Sequence, residues 1–441
     1  MLKWIQGGIS AVTGLAEPEY GKEFIHSAAD KVNEQQINPF NTATSDDLKW
    51  LCPDYTNVET STFYVNDLNT GIIGLAQVIH SNIVGLHQTA QFNCRIVDSN
   101  DVKNFNVWTS TKLENFRIDG TNFYADNLKI ELNEDGNQFH VVANVNEIVS
   151  LDLFFTRVTD GCKLGNDPNT YFGDNVEEPW GKIRHIFWPR NKLVGTINIK
   201  YEEPREEQGN QKEGEEEQQL KSFIEKTIKF TEEKPALSMF VLAFQGMKPH
   251  HAAKAWNFIN FQSDEYSVIL IEFITPKSYA NTKVSIGIVT DSEKILSVAT
   301  NNNFEHIDST VDSIGWPVPK AIKCTFNGIS ADLSDDQVKK MYGENNGTLK
   351  EQEIAVVNVN LTNLIERIDV MNEIPQFVKN IVSGVAGTKP YIYQYAGDED
   401  FNIEINNKKV KGLGMLEVIF ISEHDDEELV NAVAAVKLSD E

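Results

Sequence analysis

The sequence predicts a mainly β protein in which two tandem β-barrel domains of the up-and-down kind follow an N-terminal amphipathic helix. Three observations predict it. Short apolar runs with period-two alternation recur from about residue 57 almost to the end of the chain, separated by turn signals. A strongly acidic stretch without a large apolar residue splits those runs into two series, each long enough for a small barrel with a helix outside it. The first sixteen residues instead carry the period of a helix.

Winding residues 1–17 at about 100° per residue gathers Met1, Leu2, Trp4, Ile5, Ile9, Ala11, Val12, Leu15 and Ala16 on one half and Lys3, Gln6, Ser10, Thr13 and Glu17 on the other. The polar half holds a single basic residue, Lys3. Such a helix is held on a membrane by apolar insertion rather than by attraction to anionic lipid. Met1, Leu2, Trp4, Ile5, Ile9, Val12 and Leu15 are therefore the candidate membrane-binding residues, with Trp4 suited to the headgroup boundary. The competing reading docks this helix on the protein's own core. Three glycines within the span weaken the helix in water, and Glu17-Pro18 ends it.

Residues 18–56 read as a polar, weakly periodic segment, and residues 57–201 as the first barrel. Within it Leu128, Ile130 and Leu132 alternate with Lys129 and Glu131, and Phe139, Val141 and Ala143 return after Asp135-Gly136, a strong hairpin signal. Residues 202–219 carry eight glutamates against Arg205 and Lys212, which predicts a solvated linker and places the domain boundary there. Residues 220–441 resume the strand texture as the second barrel. Leu364–Val370 and a stretch beginning near Pro375 read as helical, and strands return from Tyr391.

The composition narrows the function. With 39 Lys+Arg against 65 Asp+Glu in 441 residues, the formal charge of -26 repels nucleic acid and disfavours strongly anionic membranes. No apolar run reaches the length of a membrane-spanning helix. Cys52, Cys94, Cys162 and Cys324 are scattered without metal or redox spacing, and read as reduced, space-filling thiols of a cytoplasmic protein. No phosphate loop, zinc motif, nucleophile elbow or dinucleotide fingerprint occurs, so an enzyme of a common class, a cofactor and a metal are not expected.

Two clusters near the expected boundary combine His, aromatic and basic residues. One spans Arg184 to Arg190 and contains His185, Phe187 and Trp188; the other runs from Lys248 through His250, His251, Trp256 and Phe258, with Phe244 just before it. These eight, His185, Phe187, Trp188, Phe244, His250, His251, Trp256 and Phe258, are the candidate ligand-binding residues, because ligand sites favour domain boundaries. The competing reading makes the tryptophans core residues and the paired histidines part of a turn.

The opening MLKWIQGGISAVTGLAEPEYGKEFIH, the TNVETSTFY segment and the HHAAKAWNFINFQS segment resemble the fungal Survival factor (Svf) family, across nearly the whole chain. The resemblance implies two lipocalin-like (calycin) domains and an N-terminal helix, acetylated in the family, that touches membranes. It also implies a lipid cavity between or within the halves, and a carrier moving ceramide or a related neutral sphingolipid without vesicles from endoplasmic reticulum to Golgi, with a role in survival of oxidative stress. The expected partners are that lipid and the two membrane surfaces, with the protein itself a monomer. The alternatives are a lipid-modifying enzyme of the carotenoid hydratase type, which shares the tandem fold, and a ligand-free interaction protein of the stress response.

Overall fold

A computed structural model describes residues 21–83, 87–202, 223–373, 389–397 and 400–422. The amphipathic helix expected over residues 1–17, the acidic stretch and the helix expected from Pro375 lie outside them. Among the described residues no helix is long and apolar enough to cross a membrane.

The chain is built almost entirely of antiparallel sheet. Asn57–Asp67, Ile72–Ile83, His87–Asp98 and Asn106–Lys112 pair in chain order. On the open side of Asn57–Asp67 lies Ala236–Gln245, which pairs in turn with Gly181–Glu202. Val149–Arg157, Gln138–Ala143 and Leu128–Leu132 continue the curl. The expected hairpin is present, with Leu132 opposite Phe139 and Gly136 at φ +66. The curled sheet wraps one core in which Phe63, Phe139, Phe155, Trp188 and Phe240 are buried.

The boundary expected at residues 202–219 is not where the sheets divide. Phe223–Phe230 pairs with Gly181–Glu202, Glu202 facing Phe223, so the acidic stretch connects two neighbouring strands of the first sheet. A run of like charges gives the same sequence signal whether the strands on either side of it belong to one sheet or to two. The division falls between Gln245 and Ala255, after the strand that completes the first sheet.

The second half has a seven-stranded sheet ordered Ile295–Ala299, Lys283–Thr290, Ser267–Ile274, Ala255–Gln262, Leu413–Phe420, Tyr391–Gly397 and Leu364–Asp369. Across its core lies a five-stranded sheet centred on Ala321–Gly328 and Gln352–Asn360. Of the stretch expected as helical, Leu364–Asp369 is thus a strand. It pairs with Tyr391–Gly397, burying Ile365 and leaving Leu364 exposed, and a single helical turn follows at Val370–Glu373. Short apolar runs carry too little length to separate the two periods.

The polar segment before the first sheet is built into the protein. Ser27 caps the helix Ala28–Gln35, accepting from the Asp30 amide, and Ala28, Val32 and Ile37 are buried between the halves. Asn38 donates to the Ser330 and Leu333 carbonyls, and the Tyr342 hydroxyl donates to Asn33, tying this segment to the second half.

Candidate functional site

The strand Gly181–Glu202 positions most of the candidate residues. A bulge between Trp188 and Asn191 bends it, and Gly195 at φ +137 lets it approach the Asp152 carbonyl, which an added Cβ would meet at 2.1 Å. Alternation then sorts the side chains. Ile186 and Trp188 enter the core of the first sheet, and His185 and Phe187 face the second half. Trp188 is fully buried, its ring 4.9 Å from Phe139. Phe244 is buried on the same inner side as Phe240 and Leu242, with the Lys182 ammonium 5.3 Å from its ring. Trp188 thus belongs to the first core, and Phe244 lies on that inner face rather than on the seam face.

The seam itself is an apolar cluster contributed by both halves. Tyr64, Leu75, Phe187 and Val241 come from the first sheet, and Phe258, Ile271, Ile288 and Met415 from the second. Tyr64 stacks on Phe258 at 5.1 Å, and His185 meets Trp256 edge to face at 5.8 Å. Four of the eight candidates, His185, Phe187, Trp256 and Phe258, are thus brought together. His251 sits on a short helix, Pro249–Ala252, with its ring edge-on to Trp180 at 6.0 Å, apart from that group. The helix also holds His250, whose side chain lies outside the description.

Polar groups on the seam faces come from residues the sequence did not single out. On the first sheet, Gln77 donates to Thr62 at 2.7 Å and Gln91 to Asn93, forming a ladder on the same face as Tyr64 and Leu75. On the second, Gln394 donates to Glu417 at 2.6 Å, and Glu417 pairs with Phe258 across the strands. Burial pushes the Glu417 carboxyl up, opposed by the Gln394 bond and the charge of Arg95. Burial, aided by the neighbouring Arg184 charge, holds the His185 imidazole down at about 4, so it is neutral at ordinary pH. The seam therefore presents amides, a hydroxyl, an uncharged imidazole and one disfavoured carboxylate against apolar walls. Such a set suits an apolar molecule with an uncharged, hydrogen-bonding head.

The halves are joined firmly around it. Arg190, buried, donates to the carbonyls of Ser263 and Asp264 and to the Ser267 hydroxyl. Asn260 donates to Asn66, and Gln262 to the Pro189 carbonyl. At the other margin Arg95 pairs with Glu366, donates to Asn106 at 2.8 Å and lies over the Trp108 ring. A further sequence signal for this region is Val268–Phe273, a nearly unbroken apolar run of a strand buried on both faces.

Residues 2–422 match the Svf1 family. The chain belongs to that family. It is 54% identical to the ceramide-binding protein SVF1 of Kluyveromyces lactis, over 97% of this chain and 98% of that one. It is 53% identical to the protein of the same name from Candida glabrata, over 96% and 98%. The solved structure of CghA is similar in fold, with a TM-score of 0.54 at 9% identity over 84% of this chain and 89% of that one. The tandem lipocalin-like fold implied by the sequence resemblance is therefore that of this chain. Three of its four cysteines are buried as expected of space-filling thiols, and Cys52 is exposed.

Proposed function

We propose that this protein binds a ceramide-type lipid at the seam between its two halves and carries it without vesicles from endoplasmic reticulum to Golgi. In this reading it is a cytoplasmic monomer that performs no turnover, docks transiently on the two membranes and, by maintaining sphingolipid flow, supports survival of oxidative stress. The observation that carries the reading is the seam: apolar faces of two sheets with Thr62, Gln77, Asn93 and Gln394 on them. The name of the relatives, ceramide-binding protein, supports the same ligand.

The physical need for a carrier is large. Each buried CH₂ is worth about 0.8 kcal/mol, so one sixteen-carbon tail opposes leaving the bilayer by roughly 13 kcal/mol. An apolar seam replaces the bilayer, and a docked helix shortens the passage through water. The membrane face proposed for the second task is Met1, Leu2, Trp4, Ile5, Ile9, Val12 and Leu15, opposite a polar side with Lys3 as its one basic residue, which suits weakly anionic membranes.

The test is transfer of labelled ceramide between donor and acceptor vesicles by the full chain. Catalytic amounts of protein should raise the rate well above spontaneous exchange, and a charged phospholipid of equal tail length should not move. Equal transfer of both lipids, or of neither, would overturn the reading.

A further inference from the structure

At one end of the first sheet a non-regular segment of the chain packs a buried indole among mostly apolar walls. Between Leu48 and Asn57 the chain is in neither helix nor strand, and it crosses one end of the curled sheet. Side chains from the rim hold it there. The Glu59 carboxylate, fully buried, accepts from the amides of Leu51 at 2.7 Å and Cys52 at 2.8 Å. Asn57 and Asn82 both donate to the Pro53 carbonyl, at 3.0 and 2.9 Å, and Asn57 also reaches the Tyr55 carbonyl. Arg184 donates to the Lys49 carbonyl at 3.1 Å. Cys52 takes φ +38 within this grip.

From this crossing Trp50 dips into the sheet. Its ring lies 6.3 Å from His80, 6.4 Å from Phe116 and 5.3 Å from Phe123, and only 8% of the residue is exposed. The walls around it are otherwise apolar, with Val78, Ala90 and Phe92 on the same inner face. A polar atom lies among these walls. His80 Nδ1 is buried without a hydrogen-bond partner, in a residue 7% exposed. A buried polar atom left unpaired is destabilising, and a ligand able to pair with it recovers that loss.

We infer that residues 49–56 are a lid over a second binding site, separate from the seam, which takes a small apolar molecule carrying one hydroxyl when Trp50 is withdrawn. The size follows from the indole whose space is vacated. The hydroxyl follows from His80, because a hydroxyl donates or accepts and so serves either imidazole tautomer. An uncharged ligand follows from the rim, where the buried Glu59 carboxyl is held by the Leu51 and Cys52 amides and Arg184 by the Lys49 carbonyl, so that neither charge is left for a ligand to pair with. Burial also holds the His80 imidazole in its neutral form. The lid opens locally, because lifting it breaks side-chain bonds at the rim and no sheet ladder.

The inference is independent of the seam reading, and hydrogen exchange of the full chain with phenol, against toluene as a partner of equal size lacking the hydroxyl, tests it. Saturating phenol is expected to speed exchange at the Leu51 and Cys52 amides several-fold, since the occupied site keeps the lid lifted. Glu59→Gln, which weakens the charged grip, is expected to tighten apparent phenol binding about tenfold by raising the fraction of open lid. His80→Leu is expected to retain toluene and to lose at least fivefold in the phenol-to-toluene affinity ratio. Unchanged lid exchange with phenol in both the wild type and Glu59→Gln would overturn the inference, as would an unchanged ratio in His80→Leu. Ceramide content measured on the same samples reports the seam separately, so either failure is distinguishable from the other.

Discussion

His185 of the first sheet meets Trp256 of the second edge to face at 5.8 Å, and the two residues come from the separate local clusters that flank the Phe223–Phe230 and Ala236–Gln245 strands. An imidazole placed there is enclosed by apolar walls on both sides, with the Arg184 charge next to it in the chain. Protonating it is therefore opposed by the fold itself.

That opposition has a pH signature. The folded pKa of about 4 lies below the ordinary value of 6.5, so between those values the unfolded chain binds the proton more readily. Stability from this group is complete above pH 6.5 and is lost as pH falls through about 4, by roughly 3 kcal/mol in all. His185→Gln should flatten the fall in thermal stability over that window, a comparison of unfolding midpoints at successive pH values being the check. Residual slope from other buried groups is expected in both proteins.

Glu417 works in the opposite sense. Burial raises its carboxyl above the usual range, so its folded form favours the proton, and stability is lost as pH rises through the folded value. Glu417→Gln keeps the shape and removes the ionisation. The variant should melt above the wild type at neutral pH and converge with it in acid. A variant that melts below the wild type at both would contradict this placement.

Arg190 carries the joint between the halves. Replacing it with Ala leaves the Ser263 and Asp264 carbonyls and the Ser267 hydroxyl without their donor in a buried setting. A loss of about 3 kcal/mol is expected. Denaturant unfolding followed separately by probes in each half should show the two transitions, coincident in the wild type, drawing apart.

The membrane face proposed for residues 1–16 is tested by flotation. Leu2→Asp with Ile5→Asp puts two charges on the apolar half and should reduce recovery with neutral, loosely packed liposomes by tenfold or more. Ceramide binding by the soluble protein should be unaffected. Equal recovery of variant and wild type would remove the helix from the account.

The fold was legible where alternation was long and turns were sharp, as in Leu128–Leu132 and its return at Phe139. It was misread where one physical signal has two structural causes. The acidic composition of residues 202–219 suits a linker between domains and a connection between paired strands alike, and only the pairing of Glu202 with Phe223 decides. Leu364–Asp369 is short enough for either period to fit, and its partner Tyr391–Gly397 fixes it as a strand. Of the seam, Phe187, Trp256 and Phe258 announced themselves as aromatic residues near the boundary. Thr62, Gln77, Asn93 and Gln394 look like ordinary outward positions of half-buried strands, because nothing local tells a strand that another sheet will cover its polar face.

Lipid extracted after gentle purification of the full chain from its own cytosol tests the central claim most directly, with the wild type set beside a Thr62→Val, Gln77→Leu, Asn93→Leu variant. That variant keeps the walls apolar and removes the uncharged hydrogen-bonding ladder. The account expects ceramide on the wild type and less than a tenth as much on the variant, by mass spectrometry of equal amounts of folded protein. Ceramide missing from the wild type, or equally abundant on both, would contradict it.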